Sequence, residues 1–443
     1  MAILYLLLAV LLIILLTTKL KVHPFLALFI TSILYGLFAG MPYADIITSI
    51  NDGFGGTLGK IGLIIVLGVI IGAFLENTGG AYAIAEKVLK VIGSKRVPTA
   101  MGVIGYIVSI PVFADSGFLL LNPLNKSLSK KAKISLSGTG IALGLGLMAS
   151  HTMVPPTPGP IAAAGILGAD LGLVIALGLP ISIIALTASI LFATKYAART
   201  YIDPDFDGSL SENVVAKKDA PTALKASIPI VIPILLIVLR SLFNPDRLGY
   251  TNQFIDIIGF VGEPIIALLI GVFLCLLLPK KLNYDMLATS GWVGKAIKDC
   301  ASIVLITGAG GIFGKILQNS GIAESLGNSL SALNIGIFLP FILAAAIKSA
   351  QGSSTVALIT TASIMMPMME SLGFDSAMQK ALVVIAIGSG SAVVSHANDS
   401  FFWVVTQMSG MNVKTGYRLF SLGSFVLGAT GAIAVFFAHL ILT

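Results

Sequence analysis

The sequence predicts an all-α polytopic membrane protein with about ten spans arranged as two inverted-topology repeats, each with a re-entrant hairpin and an unwound transmembrane helix. Three observations predict this: a composition suited to lipid, basic loops that fix sidedness, and motifs that recur in the same order in both halves. Of the 443 residues, 56% are apolar and 11% charged, and the mean hydropathy is +0.99. Soluble domains carry roughly 25% charged residues, so most of this surface has to face hydrocarbon. The net charge of +7 sits in short inter-span loops, where the positive-inside rule places it, and implies no nucleic-acid partner. Cys275 and Cys300 are isolated and give no disulfide framework or metal spacing.

Apolar runs of spanning length are 2–18, 24–41, 61–75, 172–194, 228–243, 263–278, 303–317 and 419–441. The first lacks a basic n-region and an A-x-A-like cleavage site, and is expected to be a retained helix. Basic groups around Lys19 and Lys21, at 87–96, 126–133, 195–225 and 280–298, and at Lys414 and Arg418 should be cytoplasmic. The loops at 42–60, 244–262 and 370–380 should lie outside. Segment 98–123 then has both flanks inside and a polar break holding Pro111, Asp115 and Ser116, so a re-entrant hairpin is expected. Segment 337–369, broken at Lys348 to Thr355, should be its counterpart from outside. Segments 135–168 and 382–408 are apolar but interrupted, as broken helices would be. Non-helical backbone at membrane depth is tolerated only inside protein or along a wet cavity. Ala81, Ile84, Ala85, Val88 and Leu89 share one face of an amphipathic stretch, which reads as an interfacial helix or a plain loop helix.

The recurrences give the domain plan. Leu75-Glu76-Asn77-Thr78-Gly79 matches Leu317-Gln318-Asn319-Ser320-Gly321, and Ser150-His151-Thr152 matches Ser395-His396-Ala397. Loop charges orient 24–41 from inside to outside and 263–278 the other way. The plan is a first repeat with an extra N-terminal helix at 1–194, a cytoplasmic linker at 195–227, and a second repeat with a preceding helix at 228–443. Inverted repeats with broken helices near the midplane are the architecture of many secondary transporters.

Ionisable groups at depth are costly and mark function by default. A partly desolvated Asp115 suits a proton carrier, or caps the next helix. Lys348 either pairs with a substrate carboxylate or snorkels to the outer surface. His151 precedes Pro155-Pro156-Thr157-Pro158-Gly159-Pro160, a run that cannot continue a helix, and imidazole exchanges protons near neutral pH. His396 and Asp399 are three apart around the corresponding break. The hydroxyls of Ser353, Ser354 and Thr355 suit a polyol substrate or a capping cluster. Glu76, Asp170 and Glu263 sit at span ends and read as interfacial. No H-E-x-x-H, G-x-S-x-G or Walker A motif is present, which argues against an enzyme and against ATP drive within the chain.

The stretches Ser150 to Pro160, Ser395-His396-Ala397-Asn398-Asp399-Ser400-Phe401-Phe402-Trp403 and Pro111-Val112-Phe113-Ala114-Asp115-Ser116-Gly117-Phe118 resemble the gluconate permease (GntP) family, and the similarity runs over nearly the whole chain. The resemblance implies proton symport of gluconate or a related hydroxy acid or amino acid, some members taking D-serine, glycerate or other sugar acids. It also implies the ion-transporter superfamily, with hairpins in a mobile domain, a dimerising scaffold and elevator-type motion, hence a homodimeric multi-pass protein of the inner membrane. The family's motifs fall on Asp115, His151, Thr152, His396, Asn398 and Asp399. The residues expected to bind substrate are Ser116, His151, Thr152, Ser353, Ser354, Thr355, His396 and Asn398. Asp115, His151 and Asp399 are the candidates for proton coupling, and Lys348 for the substrate's charge partner. No metal or cofactor is implied. Sodium is the alternative coupling ion, and an ion channel is the rival reading from another class.

Overall fold

A computed structural model of the chain describes residues 2–93, 96–204, 220–245, 249–321 and 335–443. Among these residues every regular element is a helix. Five helices are long and apolar enough to cross a membrane: Tyr43–Thr78, Leu171–Arg199, Ala223–Leu242, Tyr284–Asn319 and Val413–Leu442. Gln253–Val261 and Pro264–Cys275, bent by 66°, make a sixth if taken as one span. The other apolar helices have 10–17 residues, too short at about 1.5 Å per residue for a roughly 30 Å core. Much of the apolar sequence is thus in partial helices. On the N-terminal helix Ala2–Thr18, Leu4, Leu7, Leu8, Leu11 and Leu15 form an exposed stripe while Leu6, Ala9 and Ile13 are buried. An apolar helix with a bare apolar stripe is at rest only in lipid.

Two long helices make the centre. Tyr43–Thr78 packs along Trp292–Asn319. At their crossing a Cβ on Gly53 would lie 2.6 Å from the Gly311 carbonyl oxygen, and one on Gly311 2.4 Å from that of Gly53. The backbones therefore touch, as small residues allow in membrane interfaces. The segment 42–60, expected as an outer loop, is helical from Tyr43 onward. Ile46, Ser49 and Gly53 face inward, while the polar Asn51 and Asp52 point outward. The helix is 36 residues long, about 54 Å, so one end extends well past a hydrocarbon core.

Four of the apolar stretches are each divided into two helices. The first hairpin is Val97–Val108 and Ala114–Ala132, whose arms pack together. Its tip is closed by Ser109 Oγ donating to the Val112 carbonyl at 3.1 Å. The tip presses on Tyr43–Thr78 so closely that a Cβ on Gly72 would lie 2.0 Å from the Pro111 oxygen. The second hairpin is Phe338–Gln351 and Ser354–Met365, turning at Gly352 (φ +94). The first broken helix is Leu136–Met153 and Pro158–Leu167; the second is Ala377–Ser391 and Ser400–Met408. Pro155 and Pro156 have no N–H to continue the first ladder.

The amphipathic stretch forms the helix Gly80–Ile92. Its apolar face is covered by protein: Ala81, Ile84 and Ala85 are buried, and the helix packs on Ala223–Leu242 and Val97–Val108. Its matching region in the second half, 322–334, lies outside the described residues. So do residues 205–219 of the linker. What is described of the linker docks on the first half, with Ile202 N–H donating to Ser135 Oγ at 2.8 Å and Leu136 N–H to the Ile202 oxygen at 3.0 Å. Asp170 caps Leu171–Lys195 through Leu173 N–H at 2.8 Å, and Glu263 pairs with Arg240 at 2.6 Å.

Candidate functional site

Three helices begin at one place. The starts of Ala114–Ala132, Ser354–Met365 and Ser400–Met408 line a single cavity of about 420 Å³, within the range of roughly 300–1,000 Å³ usual for small-molecule sites. Phe113 and Asp115 come from the first hairpin, Gln351 to Val356 from the second, and Asn398 to Phe401 from the second break. Met148 and His151 of the first broken helix, and Ser302, Ile303 and Ile306 of Trp292–Asn319, complete the wall. Each helix start leaves N–H groups without intrahelical partners and carries positive partial charge. Among the described residues no Lys or Arg lines the cavity, so the positive partial charge of these helix starts is set against the carboxylates of Asp115 and Asp399.

Two carboxylates reach this wall, in different states. Asp399 is buried and saturated. Its Oδ1 accepts from Phe401 N–H at 3.0 Å, its Oδ2 accepts from Ser395 Oγ at 2.5 Å, and Lys348 Nζ is 2.6 Å from Oδ2. Lys348 also donates to the Gly352 carbonyl. Asp115 lies in the first turn of its helix, and Ser400 Oγ donates to its Oδ1 over a long 3.4 Å. His151 keeps a buried Nδ1 with no hydrogen-bond partner among the described residues, and its ring faces that of Phe113 at 6.2 Å.

A profile described as GntP family permease matches residues 1–441. The chain belongs to the GntP family. Among relatives of this GntP chain, a gluconate permease of Pseudomonas aeruginosa is 34% identical over 97% of this chain and 95% of its own length. The D-serine transporter DsdX of Escherichia coli is 32% identical over 99% and 98%. A crystal structure of the Alcanivorax borkumensis YdaH transporter, described as having an unusual topology, superposes with a TM-score of 0.63 at 15% identity, covering 89% of this chain and 88% of that one; it bears on the fold alone. Family membership and the long apolar helices make this GntP permease a multi-pass membrane transporter.

Of the residues singled out from sequence, Asp115, His151, Ser353, Ser354, Thr355, Asn398 and Asp399 meet around the cavity. Four others do not line it. Lys348 does not snorkel and does not line the cavity, its ammonium being buried against Asp399. Thr152 is buried with its hydroxyl on the Met148 carbonyl at 3.0 Å. His396 Nε2 bonds the Ser349 carbonyl at 2.7 Å, and its ring stacks near Tyr417. Ser116 is half-buried beside the wall. Sequence reasoning did not assign Gln351, Ser400 or Ser302. The first two adjoin recognised breaks and could have been included; Ser302 sits in an unremarkable apolar run and had no local signal.

Proposed function

We propose that the chain is a secondary active transporter of the inner membrane that carries gluconate, or a related small hydroxy carboxylate, together with protons. The observation that carries this reading is Asp115 inside a cavity where three helix starts converge. The substrate carboxylate rests against the N-terminal amides of those helices. Its hydroxyls meet Ser353, Ser354, Thr355, Gln351 and Asn398. Ionised Asp115 in the same cavity repels that carboxylate, and protonated Asp115 accommodates it and donates to it. Proton and anion then favour each other's binding reciprocally, which is coupling. His151, with a free ring nitrogen on the wall, serves a substrate hydroxyl or a second proton.

Alternating access follows if the hairpins and broken helices move as a body against the Ser302, Ile303 and Ile306 face of Trp292–Asn319, the elevator arrangement, with the remaining helices as a homodimeric scaffold. Inverted repeats at 1–194 and 228–443, joined by 195–227, account for one hairpin and one break in each half. The P. aeruginosa relative supports gluconate as cargo and the E. coli relative D-serine. Protonated Asp115 donating to a carboxylate is what ties a proton to a polyol acid; a zwitterion's ammonium would instead pair with ionised Asp115 and need no proton.

The test is uptake of labelled gluconate into proteoliposomes under an inward proton gradient, an inward sodium gradient, or none. Accumulation is expected with the proton gradient alone, and D-serine should compete weakly. Uptake indifferent to the proton gradient removes the coupling; flux that never saturates turns the reading toward a channel.

A further inference from the structure

A lysine and a carboxylate buried together are stable only when each satisfies the other, and removing one strands the partner. Lys348 and Asp399 have side chains 1% and 7% exposed, on two different elements. Lys348 is in the last turn of Phe338–Gln351, and Asp399 caps Ser400–Met408. The last carbonyls of a helix lack intrahelical donors. Here the second break supplies them: His396 Nε2 lies 2.7 Å from the Ser349 oxygen, and Asn398 Nδ2 donates to the Ser349 and Ala350 oxygens at 3.0 and 3.1 Å. At the tip, a Cβ on Gly352 would lie 2.1 Å from the Asn398 oxygen. Hairpin and break thus form one fastened unit with the ion pair at its centre. The titratable groups around Asp399 are Lys348, Asp115 across the cavity and His151 from the first broken helix, all within electrostatic reach, with His396 on its own segment turned to Ser349.

We propose that Lys348 is a positioning residue: its ammonium holds Asp399 as a permanent anion, fastens the second hairpin tip to the second break, and leaves Asp115 as the one carboxyl whose charge changes during transport. This rests on the proton-coupled reading above. It moves Asp399 from candidate proton carrier to fixed counter-ion, and Lys348 from candidate substrate contact to the residue that fixes it.

The experiment compares Lys348→Met, Asp399→Asn and the double variant in full-length protein, by gluconate binding at fixed pH, KM and the pH profile of uptake. In Lys348→Met the stranded carboxyl takes up a proton, so the profile gains a second step and KM rises by about tenfold or more. In the double variant Asn keeps the cap and Met the volume, so a single-step profile returns and KM falls back to within about threefold of the parent. Unchanged KM and profile in Lys348→Met overturn the proposal. If that variant does not fold, Asp399→Asn against the double variant decides: the single, with a stranded ammonium, must bind worse, and equal binding overturns the proposal. Loss of the Asp115 reading is seen separately, as pH dependence that survives Asp115→Asn while the fixed-pH binding comparison still stands.

Discussion

The two hairpin tips do the same thing by different means. The second is tied to its neighbouring break by a buried ion pair and by hydrogen bonds from His396 and Asn398. The first is seated by shape: Pro111 rests on the bare backbone at Gly72, and its carboxyl, Asp115, has a single long hydrogen bond to the other half. A charge that must change cannot be locked in a strong pair, and a tip that must hold still gains from one. The division suggests a fixed half that shapes the site and a titrating half that responds to cargo.

The sharpest way to break this comparison is Asp115→Asn. Concentrative uptake should vanish and its rise at lower pH should flatten, while exchange of labelled for unlabelled substrate persists; transport assays at several pH values read this directly. In the parent the proposed mechanism gives the sign: if protonating Asp115 admits the anion, apparent affinity should strengthen as pH falls. Next come the two glycines. Gly352→Ala meets the Asn398 oxygen at a left-handed φ, and should cost about 1–3 kcal/mol and raise KM by roughly tenfold. Gly72→Ala should cost a similar 1–3 kcal/mol of stability with a smaller change in KM; equal damage to binding by both would erase the contrast between the tips. Ser400→Ala removes the long bond to Asp115, for about 0.5–1 kcal/mol, and should move the pH profile of uptake slightly. Smallest is Thr152→Ser, which keeps the hydroxyl on Met148, faces away from the cavity and should leave KM within about twofold.

Much of the site was legible because helix breaks leave chemical traces. Proline at 155, 156 and 158, the Gly-Ser-Ser run from 352 and the polar run from Ser395 to Ser400 each announced a place where a helix stops. What stayed hidden depends on long-range packing. Lys348 and Asp399 are 51 residues apart, and nothing local pairs them. Ser302 reaches the cavity wall only because its helix packs beside Ser354–Met365. His151 and His396 match in sequence, yet one lines the cavity and the other caps a helix end, so repetition of a residue did not mean repetition of its role. The segment 42–60 misled in another way: it is poor in Lys and Arg and lies between apolar runs, yet Ile46, Ser49 and Gly53 give it a buried helical face.

The helix Gly80–Ile92 carries a further consequence. It joins Tyr43–Thr78 to the first arm of the first hairpin, and left-handed glycines, Gly79 and Gly93, stand at its two ends. Thirteen residues make a rod about 20 Å long. On the proposed elevator reading, the first hairpin can move against the central helices only as far as this rod, packed on Ala223–Leu242 and Val97–Val108, allows.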